Sequence, residues 1–179
     1  MLSFEDALAQ LLAAAKPVSE VRWLPTQAAA GRVLAQDLTS TVNVPPLDNS
    51  AMDGYAVRAA DIPVPGTVLP VSQRIPAGSV GTTLEPGTAA RIFTGAPVPP
   101  GADAVIMQER CEHAGEGRIN FQHVPKAGDN IRRAGEDVAK DARILAAGTR
   151  LGPAQLAFAA SVGLAEVPVY RRLLVATFF

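Results

Sequence analysis

Glycine and proline punctuate this chain so often that long regular elements are excluded over most of it. There are 15 Gly and 15 Pro in 179 residues, and from 41 to about 147 one or the other recurs every few positions. Proline lacks an amide donor and fixes φ, and glycine adopts positive φ without a Cβ clash, so these residues tend to end helices and central strands. The runs left between the breaks are short: 68–75, 89–93, 104–108, 119–124 and 143–144. Short strands at such spacing predict a small β-rich, barrel-like domain.

Helical spacing returns outside that stretch. Ser3 followed by Asp6 is a weaker relative of the capping box, and Phe4, Leu8, Leu11, Leu12 and Ala15 share one face of a helix that Pro17 ends. A short helical segment is expected over 27–30, stopping at Gly31, and a strand over 32–40. A second helix is expected over 153–162, with Pro153 at its start and Gly163 at its end, followed by a strand over 166–170. Each helix has an apolar face that needs cover, so the two are predicted to pack together, with Trp23 and Tyr170 as anchors. The expected fold class is α+β: a discontinuous helical domain, 1–40 with 148–172, carries an inserted β-rich domain, 41–147. The apolar run over 173–179 has no turn or polar tail and reads as the truncated first strand of a further domain, buried in a parallel sheet.

Composition narrows the function classes. Hydrophobic residues make up 48% and charged residues 18%, enough for a packed core and wrong for a disordered chain. The net charge of −1 offers no basic stripe, which argues against nucleic acid as a partner. Cys111 is the single cysteine, so neither an intramolecular disulfide nor a CxxC zinc pattern is possible. It is read as inert, and His113 and His123 as surface residues. The first residues carry early acids rather than a basic start, and the apolar run over 8–15 is too short to span a bilayer. The expectation is a cytoplasmic chain with no membrane partner. No Walker loop, GxGxxG or GxSxG motif occurs.

Three polar clusters carry the candidate chemistry. Pro45-Pro46-Leu47-Asp48-Asn49-Ser50-Ala51-Met52-Asp53-Gly54-Tyr55 packs two carboxylates, an amide and a hydroxyl between a stiff Pro-Pro entry and an Asp-Gly turn. Arg91-Ile92-Phe93-Thr94-Gly95-Ala96-Pro97 frames Thr94, and Gly128-Asp129-Asn130-Ile131-Arg132-Arg133-Ala134-Gly135-Glu136-Asp137 gathers the third cluster. Asp48 and Asp53 suit a hard cation or a positioned water, and Asn49 and Ser50 can donate to an oxyanion. The hydroxyl of Thr94 can serve a ligand or close its own turn. Arg132 suits phosphate or carboxylate, and can equally pair with Glu136 or Asp137 to fix a loop. Asp103 and Glu109 are read as surface acids, and Lys126 and Arg133 as solvated.

In order and spacing the three motifs resemble the N-terminal half of the molybdopterin molybdenumtransferases, the MoeA family, relatives of the E domain of the scaffold protein gephyrin. The resemblance runs from the first helix to the last residue. It implies a discontinuous helical domain carrying a β domain, followed in the family by a molybdopterin-binding α/β domain and a small β domain. The implied reaction inserts molybdate into adenylylated molybdopterin with release of AMP and uses Mg²⁺ or a similar divalent cation. It implies Asp53 and Thr94 as catalytic residues, Asp53 also as a metal ligand, and Asp48, Asn49, Ser50, Arg132 and Asp137 as substrate contacts. It also implies a homodimer, with molybdopterin adenylyltransferase as a possible partner. A chain of this length by itself is expected to be inactive, because the groups that hold the transition state must be placed together. Two other readings compete. A scaffold module of the gephyrin type would gain nothing from clustered acids in a rigid loop. A carbohydrate-binding module would need exposed aromatics, and aromatic content is 5%.

Overall fold

The computed structural model describes residues 2–177. Along the chain run α1 (Phe4–Ala14), β1 (Val21–Pro25), a 3₁₀ turn (Thr26–Ala28), β2 (Leu38–Thr39), β3 (Asn49–Ser50), β4 (Gly54–Val57) and β5 (Thr67–Ile75). There follow β6 (Ala89–Ile92), β7 (Ala104–Met107), β8 (Cys111–His113), β9 (Arg118–Phe121) and β10 (Ile131–Arg132). The last elements are β11 (Arg143–Leu145), α2 (Pro153–Ser161) and β12 (Glu166–Tyr170). The chain divides into two compact units, one made of 1–41 with 142–179 and the other of 42–141.

The unit 42–141 is built on a six-stranded sheet of order β7-β4-β6-β5-β9-β8. β5 joins its two halves: its later residues pair with β6 in parallel and its first four pair with β9 in antiparallel. The sheet curls about this long strand. One face gathers Tyr55, Val57, Leu69, Ala89, Ile106, Ile119 and Phe121 into a core drawn from both halves. Ala56, Ile75, Leu84, Ala90, Ile92 and Val105 form a second core on the other face. Burial on both faces explains why β4, β6 and β7 read as continuous small and apolar runs rather than as alternating ones. Gly54 opens β4 because a Cβ there would stand 2.0 Å from the Ile106 carbonyl oxygen of β7. The ladder ends at β7 and β8, so the barrel expected from the strand spacing is an open, half-wrapped sheet.

The other unit corrects the expected helical domain. It is discontinuous in sequence, but strands β1 and β12 form an antiparallel ribbon through it, and β2 pairs with β11. Its core of Leu34, Leu38, Leu151, Ala159, Val167 and Val169 mixes strand, loop and helix residues. The described residues contain two α-helices, and the chain is mostly β. Ser3 caps α1 as expected, its Oγ accepting the Asp6 N–H at 3.1 Å. Helix packing does not follow: α1 buries no residue, and Leu8 and Leu12 are 43% and 66% exposed. α2 lays Ala159 into the core formed with the ribbon, whereas α1 contributes no residue to it. An amphipathic stripe says that a face suits cover, not which element supplies it.

Smaller corrections have local causes. The strand expected over 32–40 is divided between partners: Val33 and Leu34 bridge Arg150 and Val169, and only Leu38–Thr39 forms a strand, with β11. Between them Asp37 turns to accept the Ala147 N–H at 2.7 Å. The segment expected over 27–30 holds only the end of a single 3₁₀ turn, Thr26–Ala28, capped at Ala29, and Gly31 follows at φ +72°. Trp23 lies on the outer side of β1, 60% exposed, so it anchors no core. Over 173–177 there is no strand, and Leu173, Leu174 and Val175 are exposed; Phe178 and Phe179 lie outside the described residues.

Candidate functional site

The three polar motifs meet along the two-residue strand β3. On one side the Ser50 N–H donates to Ala96 O and the Gly95 N–H to Ser50 O, both at 2.9 Å. On the other side Asn49 and Ser50 pair with Arg132 and Ile131 of β10, and the Ala51 N–H donates to Asn130 O at 2.9 Å. Short polar segments far apart in sequence are thereby zipped into one backbone ladder. The side chains divide into two groups that flank this seam.

The first group is Asp53 with Thr94. One carboxylate oxygen, Asp53 Oδ1, accepts both the Thr94 N–H at 2.8 Å and the Thr94 hydroxyl at 2.7 Å. The Thr94 N–H, then its hydroxyl, and further the charge of Arg91 hold the Asp53 carboxyl below the usual aspartate value. Gly95, at φ +82°, makes the turn that points the Thr94 amide and hydroxyl at the same oxygen. Both residues are therefore committed to each other through Oδ1, and Oδ2 has no hydrogen-bond partner among the described residues.

The second group is organised around Asp48. Its Oδ1 accepts the Ala134 N–H at 2.8 Å and its Oδ2 the Arg133 Nη1 at 2.6 Å. The Ala134 amide first, and the Arg133 guanidinium next, lower the Asp48 carboxyl below its ordinary value. Arg132 Nη2 donates to both oxygens of Asp137 at 2.6 Å, and its Nε reaches Glu136 at 3.4 Å. Asp137, ahead of Glu136, pushes the Arg132 guanidinium still higher. Arg132 thus fixes its own loop, and Arg133, read from the sequence as merely solvated, is the residue that ties that loop to Asp48.

Asn49 and Ser50 are placed differently from each other. Ser50 is 1% exposed, and its hydroxyl donates to Met52 O at 2.5 Å while accepting the Met52 N–H at 3.3 Å. It closes its own turn. Asn49 Oδ1 is buried without a partner among the described residues, an acceptor suited to a donor or a cation rather than to an oxyanion. Asp103 accepts the Ala59 N–H at 2.7 Å and so braces a turn. Burial pushes the Cys111 thiol up to about 12, in keeping with an inert cysteine.

Among the described residues no three His, Cys, Asp or Glu side chains gather to hold a metal ion. A magnesium ion does not require such a cage: it commonly takes one or two carboxylates and completes its shell with water and substrate oxygens. Asp53 Oδ2 fits that partial role, since only Oδ1 is taken by Thr94.

Sequence reasoning passed over Arg91. Its Nη1 donates to Gly54 O at 2.9 Å and its Nη2 to Gln108 Oε1 at 2.6 Å, spanning β4 and the turn after β7. Its alternation with Phe93 along the chain was the available signal, since both must then face the same side.

Comparison with known proteins follows this geometry. A family model described as the MoeA N-terminal region (domain I and II) matches residues 2–163. A molybdopterin molybdenumtransferase of Haemophilus influenzae is 41% identical over 173 residues, covering 97% of this chain and 43% of the relative. Molybdopterin molybdenumtransferase 2 of Mycobacterium tuberculosis is 42% identical, covering 94% and 42%. A crystal structure of the molybdopterin biosynthesis moeA protein from Pyrococcus horikoshii superposes with a TM-score of 0.84 at 35% identity, over 95% of this chain and 46% of that one. The chain thus spans less than half the length of the relatives it matches. Together these similarities place the chain in the MoeA family, as a member of its N-terminal region.

Proposed function

We propose that this chain is the N-terminal part of a molybdopterin molybdenumtransferase, which inserts molybdate into adenylylated molybdopterin and releases AMP. The observation that carries the reading is the convergence of the three motifs on β3, which sets Asp53 against Thr94 at the end of a rigid sheet. Asp53 keeps its negative charge through neutral pH, and its unshared oxygen is the group offered to a substrate or a cation. Thr94 holds that carboxylate in one orientation. The loop fixed by Asp48, Arg132, Arg133 and Asp137 walls the other side of the seam. A divalent cation, bound through Asp53 and otherwise by water and substrate oxygens, would offset the charge of the phosphoryl group.

The assembly we propose is a homodimer in the cytoplasm, with adenylylated molybdopterin supplied by an adenylyltransferase and the pterin held by a region beyond the motifs described here. No described helix is long and apolar enough to cross a membrane. Complementation tests the function. The full-length gene whose product contains this chain is introduced, wild type or Asp53→Ala, into a strain that lacks the transferase. Restored molybdoenzyme activity with the wild type and its loss with Asp53→Ala are expected. Failure of the wild type, at normal protein levels, would overturn the reading.

A further inference from the structure

Asn130 stands in the left-handed region, at φ +54°. That conformation strains a residue with a Cβ, asparagine less than most, and glycine adopts it freely. The turn over 128–131 is closed by the Ile131 N–H on Gly128 O at 3.3 Å. Such a turn by itself would be served as well by glycine, so it does not explain the asparagine.

Its side chain supplies the reason. Asn130 Nδ2 donates to Val105 O at 2.8 Å, and the Val105 N–H donates to the carbonyl of the preceding residue, Asp129, at 2.9 Å. β7, which carries Val105, is the edge of the six-stranded sheet. Residues 129 and 130 thus occupy both backbone groups of Val105 and stand in for a further strand. A carbonyl oxygen only accepts, so its partner has to be the amide nitrogen, and an ionised carboxylate could not replace it. The main-chain carbonyl of Asn130 meanwhile accepts the Ala51 N–H at 2.9 Å.

These bonds reach the Asp53 turn from two directions. Ala51 lies two residues before Asp53. β7 runs beside β4 with Met107 opposite Gly54, and the next residue, Gln108, donates its N–H to Asp53 O at 3.0 Å. Thr94 fixes the carboxylate itself, but a side chain is aimed only as well as the backbone that carries it. Asn130 bonds to both supports of that backbone, to Ala51 directly and to β7 through Val105.

We propose that Asn130 is a positioning residue: its side-chain amide on β7 and its carbonyl on Ala51 together set where Asp53 stands and where the unshared oxygen points. The proposal rests on the function argued above in one respect, that the aim of Asp53 matters to a reaction. The placement of Asp53 is a property of this chain and is tested without any substrate.

Asn130→Gly is the diagnostic variant, because it keeps the turn and removes the side-chain clip. In the 179-residue chain, hydrogen exchange at the Ala51, Thr94 and Gln108 amides should quicken by about fivefold to tenfold relative to the amides of β9, the factor expected for one lost hydrogen bond. The Asp53 midpoint in carbonyl-detected NMR should move upward as the Thr94 bonds loosen. Gln73→Ala is the control: it deletes two bonds of 2.9 Å between Gln73 and Thr82 in the same unit, touches neither support, and should leave Asp53 and those amides unmoved. In the full-length protein Asn130→Gly should lower kcat for AMP release about tenfold or more and change KM no more than about twofold. An unmoved Asp53 midpoint, or faster exchange spread evenly over the sheet, would overturn the positioning role, and a shifted midpoint with unchanged kcat would overturn its bearing on the reaction. The two proposals fail separately. If the wild type does not complement while the midpoint shifts, the function falls and the positioning stands; if it complements and the midpoint is unmoved, the reverse holds.

Discussion

At the scale of single residues the site is an arrangement of one carboxylate and two donors from one threonine. Asp53 Oδ1 receives both the amide and the hydroxyl of Thr94, and each bond favours the ionised form. The folded-state value therefore lies below the unfolded value of about 3.9. A depressed carboxylate adds stability that is complete above the unfolded value and lost as pH falls through the folded one. Asp53 therefore contributes no acid limb to a pH profile between about 5 and 8. Thr94→Val keeps the amide and removes the hydroxyl. Carbonyl-detected NMR titration should show the Asp53 midpoint move upward in that variant while staying below that of an unfolded peptide. An unmoved midpoint would mean that the hydroxyl does not face Asp53 in solution. The sequence nominated Asp53 and Thr94 through a resemblance, but no local pattern states that the two touch. Arg91 was missed for a related reason: its hydrogen-bond partners Gly54 and Gln108 come from different segments.

At the scale of elements, the site depends on how closely β4 and β7 approach. A Cβ on Gly54 would stand 2.0 Å from Ile106 O, 2.9 Å from its carbonyl carbon and 3.1 Å from Met107 Cα, all backbone atoms that cannot swing aside. Gly54→Ala should therefore destabilise the fold by about 2–3 kcal/mol, in the range of overpacked cores, read as a lower denaturant midpoint. Because Gly54 follows Asp53, the same variant should weaken the Asp53–Thr94 bonds. Helix α1 behaves in the opposite way. Leu8 and Leu12 are exposed and no residue of α1 is buried, so Leu8→Gln with Leu12→Gln should change the stability of this chain by no more than about 0.5 kcal/mol. A loss of several kcal/mol in chemical denaturation would show that the helix is covered within the chain after all. The capping residues of α1 were legible in its sequence because caps act within four residues. Its lack of a partner was not, because burial is decided by every other element at once.

For the whole molecule, the division into units separates the cores as well as the chain. Residues 42–141 form a continuous stretch that holds both cores of the curled sheet together with all three polar motifs. Expressed alone, this stretch should fold cooperatively, giving dispersed amide signals in NMR and a single sigmoidal denaturation curve. A molten spectrum would place part of its stability in the remaining residues. The other unit is assembled from two chain ends, so no single continuous stretch of it should fold alone.

The turn positions and the β-rich character of the middle of the chain follow from the sequence by itself. Proline and glycine act through φ and the missing donor, which are properties of one residue and its neighbours. Partnership is another matter. Asp53 meets Thr94 across 41 residues, and Asp48 meets Ala134 across 86. The two apolar helices, each well formed, do not pack together as their stripes suggested. Such choices depend on register and on the summed burial of all the strands, quantities that exist only once the chain has closed on itself. The tertiary structure alone brings β3 between β10 and the turn after Phe93, and so turns three separate polar motifs into one site.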